Sequence, residues 1–128
     1  MSKKIKILVV DDIKGWRDYH SLVLKELLVN SEIITAESAK EAYDKLLEHN
    51  DSPFDIILTD MQMESDFEPK YAGEWFIEQI KTFKNFSKTK VVAISAAYNL
   101  DIIAKVHNVE YIRKSTARNF PQSYEILL

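Results

Sequence analysis

Two short apolar runs constrain this chain more than anything else in it. Ile5-Lys6-Ile7-Leu8-Val9-Val10 runs into Asp11-Asp12, and Ile56-Ile57-Leu58-Thr59 ends on Asp60. Runs of this length and composition read as strands buried on both faces, the pattern of a parallel sheet. In an open parallel sheet, ligands collect just beyond the carboxyl ends of the strands. The three acids are therefore expected to converge on one small pocket. Clustered carboxylates repel one another unless a proton or a cation neutralises them. A hard divalent ion such as Mg²⁺ is the natural partner of an all-oxygen set.

Between and after these runs, strand-like and helix-like segments alternate. Strands are expected at 5–10, 33–35, 55–59, 90–94 and 109–112. A helix over 15–28 carries Trp16, Tyr19, Val23, Leu27 and Leu28 at helical spacing. Ser38-Ala39-Lys40-Glu41 fits a capping box and opens a helix that turns Ala39, Ala42, Tyr43, Leu46 and Leu47 inward. A third helix, 72–83, places Trp75, Phe76, Ile80 and Phe83 inward, and a short fourth is expected at 99–107. The acidic stretch 61–71, holding Pro69, reads as a loop. The tail 116–128 allows one more helix with Pro121 in its first turn and Tyr124, Ile126, Leu127 and Leu128 packed inward. The histidines His20, His49 and His107 lack metal-ligand spacing and read as surface or helix-end residues.

Five strands alternating with helices specify a three-layer, doubly wound α/β sandwich. Right-handed crossovers leave few topologies. The flavodoxin-like order 2-1-3-4-5 sets the first strand beside the third, which makes Asp11-Asp12 and Asp60 neighbours. The acid cluster itself favours that order.

Composition narrows the remaining classes. At 128 residues, 46% hydrophobic and 29% charged, the chain can build one folded domain. A net charge of -3 offers no broad attraction to nucleic acid or to an anionic membrane. The absence of cysteine excludes disulfides, thiolate metal sites and cysteine nucleophiles. The first apolar run is too short for a signal peptide or a membrane span, so a cytoplasmic protein is expected.

Four strand-end features now stand in order: the pair Asp11, Asp12; Asp60 in Leu-Thr-Asp-Met-Gln-Met; Ser95 in Ala-Ile-Ser-Ala; and Lys114 in Tyr-Ile-Arg-Lys-Ser. In this set the chain resembles the CheY-like receiver domain of two-component response regulators, from about residue 4 to 115, and a single receiver domain over 1–128 is expected. The resemblance implies that Asp60 accepts a phosphoryl group as an aspartyl phosphate. It implies that Asp11, Asp12, Asp60 and the backbone carbonyl of Gln62 hold Mg²⁺ (or Mn²⁺). Lys114 and Ser95 would contact phosphoryl oxygens, with Ser95 and Tyr111 forming a switch. Gln62 and Ala97 would tune phosphate lifetime. The implied partners are a sensor histidine kinase or histidine phosphotransfer protein and an unknown downstream protein, with no nucleic acid and no membrane. Such a module is a phosphorelay component that assists its own phosphorylation and dephosphorylation rather than an enzyme.

The chain also departs from that family. Met63 is followed by Glu64 where Met-Pro is usual, and Gly73 stands several residues late, which implies an insertion over 64–71. Ser115 replaces the proline that normally follows the lysine, so Lys114-Ser115 is free to be trans, a non-proline cis bond costing about 2.5–4 kcal/mol. The fourth and fifth helices are expected to be short. These departures keep open an alternative, a phosphorylation-independent receiver serving as an interaction module. A Mg²⁺-dependent phosphohydrolase is disfavoured: Asp11-Asp12 lacks the Asp-x-Asp spacing, and the chain has no room for a cap domain.

Overall fold

A computed structural model of the chain describes residues 4–63 and 71–128. Five strands, β1 (Ile5–Val10), β2 (Ser31–Ala36), β3 (Ile56–Asp60), β4 (Lys90–Ser95) and β5 (Glu110–Arg113), form one parallel sheet of order 2-1-3-4-5. Five helices connect or follow them: α1 (Lys14–Leu27), α2 (Ala39–Glu48), α3 (Ala72–Thr82), α4 (Leu100–Val106) and α5 (Lys114–Asn119). A 3₁₀ segment, Pro121–Leu127, closes the described chain. None of the described helices is long and apolar enough to cross a membrane.

Strand alternation sorts the core into two layers, because successive side chains leave a strand on opposite faces. Leu8, Val10 and Ile57 pack with Ala42 and Leu46 of α2 and Phe76 and Ile80 of α3. Ile7, Val9, Leu58, Val92, Ile94 and Ile112 pack with Leu24 of α1, Ala117 of α5 and Tyr124. Fully burying a Leu or Ile side chain contributes about 1.5–3 kcal/mol, so the central strands anchor whatever their ends carry. Ser38 caps α2 as its position implied, its hydroxyl accepting the Glu41 N–H at 3.0 Å.

Several expectations need correction. The tail holds two helical segments, because α5 starts at Lys114 itself and ends at Asn119, before Pro121 restarts the turn as a 3₁₀ helix. Tyr124 and Leu127 are buried there, but Leu128 is exposed, as is Leu47 at the outer edge of α2. Trp75 is also largely exposed; it lays its ring 5.7 Å from that of Tyr43 across α2 and α3. His20 is fully buried in mid-helix, whereas His107 stands at the end of α4 as expected, though buried there. The acidic patch 64–68 and nearly all of the expected insertion lie outside the described residues. The described backbone has no cis peptide bond, so Lys114-Ser115 is trans. The fourth and fifth helices are short as expected, at seven and six residues.

Candidate functional site

The face alternation that builds the second core layer, carried one step past the strands, also assembles the site. Asp11 follows Ile7 and Val9 in the odd series of β1, Asp60 follows Ile56 and Leu58 in β3, and Lys114 follows Ile112 of β5. Register completes the convergence: Val10 pairs with Thr59, so Asp11 comes level with Asp60. Lys114 Nζ lies 3.0 Å from Asp11 Oδ2 and donates to Asp60 Oδ2 at 3.2 Å. One oxygen each of Asp11, Asp12 and Asp60 lies within 4.8 Å of the others. The structure thus brings the three acids and the lysine to one place.

The backbone around Asp11 is closely held. Its N–H donates to Ala36 O at 3.1 Å, its Oδ1 accepts the Ile13 N–H at 3.0 Å, and its carbonyl accepts from Arg17 Nη1 at 2.8 Å. The Ile13 contact is a side-chain turn of the kind Asp forms readily two residues on. Asp60 Oδ1 accepts the Met61 N–H at 2.7 Å. A cavity of about 250 Å³ opens beside Asp60, lined also by Asp12, Gln62, Ser95, Ala97 and Lys114. Ser95 is buried, with its Oγ accepting the Ala97 N–H at 3.1 Å. Tyr111 sits apart from this cavity, half exposed on β5 with the Arg113 guanidinium 5.7 Å over its ring.

Burial and charge set the protonation of the acids. Burial pushes Asp60 up to about 6; the Lys114 ammonium opposes this and the neighbouring Asp11 adds to it. Burial also acts on Asp11, but His20, the Ile13 N–H and Lys114 together bring its carboxyl below the ordinary carboxylate value. Asp11 and Asp60, both buried, share the single Lys114 ammonium between them. Asp11 Oδ2, fully buried, has no hydrogen-bond donor among the described residues beyond the ion pair to Lys114. An all-oxygen donor set of three clustered carboxylates suits a hard divalent cation.

Sequence reasoning placed Tyr124 inward but missed the burial of His20 and the contact between the two. His20 is fully buried, its Nε2 3.5 Å from Asp11 Oδ2 and its Nδ1 2.6 Å from the Tyr124 hydroxyl. Its ring stacks on Trp16 at 5.3 Å, and Trp16 in turn lies 5.1 Å beneath Lys114 Nζ. Burial holds the His20 imidazole below its ordinary pKa despite Asp11, and it holds the Tyr124 hydroxyl above its own. The signal was present: His20 stands four residues after Trp16 and three before Val23, on the apolar stripe of α1.

Comparison with known proteins places this geometry among relatives. The family model described as the response regulator receiver domain matches residues 7–119. No curated protein matches the chain. Among solved structures, it is similar to chemotaxis response regulator CheY4 of Vibrio cholerae at 19% identity and a TM-score of 0.78, covering 98% of this chain and 100% of that one. A response regulator receiver domain protein from Clostridium thermocellum is similar at 28% identity and a TM-score of 0.72, with 96% and 93% covered. Response regulator protein TrrA from Thermotoga maritima, solved in complex with Mg(2+)-BeF, is similar at 26% identity and a TM-score of 0.71, with 97% and 99% covered.

Proposed function

Because the chain belongs to the response regulator receiver domain family, we propose that it is a phosphoacceptor switch in which Asp60 receives the phosphoryl group. The observation that carries this reading is the convergence of Asp11, Asp12 and Asp60 within 4.8 Å, with Lys114 bridging two of them. Asp60 ends a buried strand at the floor of a cavity large enough for a phosphoryl group. A carboxylate oxygen of Asp60 attacks phosphorus, the bond from phosphorus to the donor's imidazole nitrogen breaks, and the imidazole leaves with the electron pair. Such transfer depends mostly on positioning and charge stabilisation. Lys114 offsets charge on the incoming phosphoryl oxygens, and the Ser95 hydroxyl is placed on the cavity wall to donate to another.

Asp11, Asp12 and Asp60, with the Gln62 carbonyl, would hold Mg²⁺ or Mn²⁺. When bound, such an ion neutralises the acids and draws electron density from the phosphoryl oxygens. Gln62 and Ala97 line the same cavity and so control water's approach to an aspartyl phosphate. Tyr111, outward here, is the proposed partner of Ser95 in switching. The phosphodonor would be a sensor histidine kinase or a histidine phosphotransfer protein, and the output a downstream protein. The reading takes residues 1–128 as one receiver domain acting in the cytoplasm without nucleic acid or membrane.

The test is intact-protein mass spectrometry with rapid quenching after incubation with acetyl phosphate, with and without Mg²⁺. The expected result is one phosphoryl group gained by wild type only with Mg²⁺, and none by Asp60→Asn. Stoichiometric labelling of Asp60→Asn would overturn the assignment. A folded wild type that gains nothing would favour the phosphorylation-independent interaction module.

A further inference from the structure

His20 lies in the middle of α1 with no solvent exposure, and its two ring nitrogens face different elements of the fold. Nδ1 is 2.6 Å from the hydroxyl of Tyr124, which is itself fully buried in the terminal 3₁₀ segment. Nε2, which has no hydrogen-bond partner among the described residues, lies 3.5 Å from Asp11 Oδ2. A neutral imidazole carries one N–H and one bare nitrogen. If Nδ1 carried the proton, the bare Nε2 would face a carboxylate oxygen and repel it. With the Tyr124 hydroxyl donating to Nδ1, the N–H falls on Nε2 and points at Asp11. Tyr124 thus selects the tautomer that sets an N–H, rather than a lone pair, on the side of the acid.

We propose that His20 is a positioning residue of the acid pocket, and that it couples docking of the Pro121–Leu127 segment to divalent-cation binding at Asp11. This rests on reading Asp11, Asp12 and Asp60 as the cation site. Groups that hold a metal-binding side chain in place are worth about 10–100-fold in metal affinity where they have been removed. Asp11 Oδ1 is fixed by the Ile13 N–H, so His20 and Lys114 set the plane of the remaining oxygen. Lys114 also serves Asp60. His20, by contrast, joins Asp11 to the tail through Tyr124. Coupling between two sites is reciprocal: if the docked tail favours the cation, the cation favours the docked tail.

The experiment titrates Mg²⁺ calorimetrically into wild type, His20→Leu, His20→Gln and Tyr124→Phe, and follows amide hydrogen exchange over 121–127 with and without the ion. His20→Leu is expected to bind Mg²⁺ about tenfold more weakly, and Tyr124→Phe several-fold more weakly. His20→Gln, which keeps an N–H donor at similar reach, stays nearer wild type. Saturating Mg²⁺ slows exchange over 121–127 in wild type and does so less in Tyr124→Phe. Equal affinities in wild type, His20→Leu and Tyr124→Phe would overturn the inference while leaving the acid pocket as the cation site. Exchange that ignores Mg²⁺ in wild type would overturn the coupling. A wild type that binds no Mg²⁺ would overturn both this inference and the reading beneath it. Should His20→Leu fail to fold, Tyr124→Phe carries the test, because it removes a hydroxyl and leaves the ring in place.

Discussion

Gly73 in the first turn of α3 lies against Met61 so closely that a Cβ on it would sit 2.4 Å from the Met61 Cα and 2.5 Å from the Asp60 carbonyl oxygen. Its N–H donates to Met61 O at 3.2 Å, tying α3 to the end of β3. The contact falls on the backbone, which cannot rotate aside as a side chain does. Gly73→Ala must push α3 away from the residue that follows Asp60. Overpacking of this kind costs about 1–3 kcal/mol, and a lower urea midpoint with slower Asp60 phosphorylation is expected. Gly15→Ala is the matched control: nothing lies within 4 Å of its Cβ, so a gain of about 0.4–1 kcal/mol is expected instead.

The raised proton affinity of Asp60 predicts a pH-dependent gain from removing its charge. Its carboxyl moves from an ordinary 3.8 to about 6 on folding, chiefly through burial. The folded state therefore holds a proton that the unfolded chain has lost, and stability falls as pH rises from about 4 to about 6. Asp60→Asn keeps the shape and drops the charge. Without divalent cations it should be more stable than wild type at pH 7, on the order of 1–3 kcal/mol. The advantage should shrink to near zero as pH falls toward 4. Taking the difference between the two proteins matters, because Asp11 and His20, both with lowered pKa values, tilt the whole curve the other way. Mg²⁺ should narrow the gap, since a bound cation favours the ionised carboxylate. Paired urea titrations between pH 4 and 7.5 read it directly.

What the sequence made legible follows from where each signal lives. The three acids stood out because strand alternation and strand ends are local patterns, whereas Ser95 and Lys114 stood out only through the family resemblance; the order 2-1-3-4-5 then brings Asp11, Asp60 and Lys114 together. The partners of His20 could not be read that way: Tyr124 lies 104 residues from it in sequence and meets it only when the tail folds over α1. Its burial was nonetheless written in the helical stripe with Trp16 and Val23. His107 gave no such stripe; its burial depends on how α3 crosses the end of α4. Gly73 read as a displaced glycine, and only the approach of α3 to Met61 shows why a side chain is excluded there.

That crossing of α3 and α4 carries the last prediction. His107, at the end of α4, meets two carboxylates of α3: Nδ1 is 2.6 Å from Glu78 Oε2, and Nε2 is 2.8 Å from Glu74 Oε1. Lys81 of the same helix donates to the His107 carbonyl at 2.8 Å and lies 3.4 Å from Glu78. Burial alone would depress the imidazole, but its hydrogen bonds to Glu74 and Glu78 raise its pKa above the ordinary 6.5. Both nitrogens act as donors only in the imidazolium. A raised cationic group contributes stability that is fully present below 6.5 and is lost as pH rises through its folded value. Glu78, lowered first by its bond to His107, loses its share as pH falls below 4.5. Wild type should therefore exceed His107→Gln in stability most clearly near pH 5.5–6, with the difference fading above neutral pH. Because Glu78 is half exposed, added salt should reduce the difference as well. Thermal melts of both proteins across that pH range, at low and high salt, test this. A difference that stays constant with pH would mean the clamp holds a neutral imidazole.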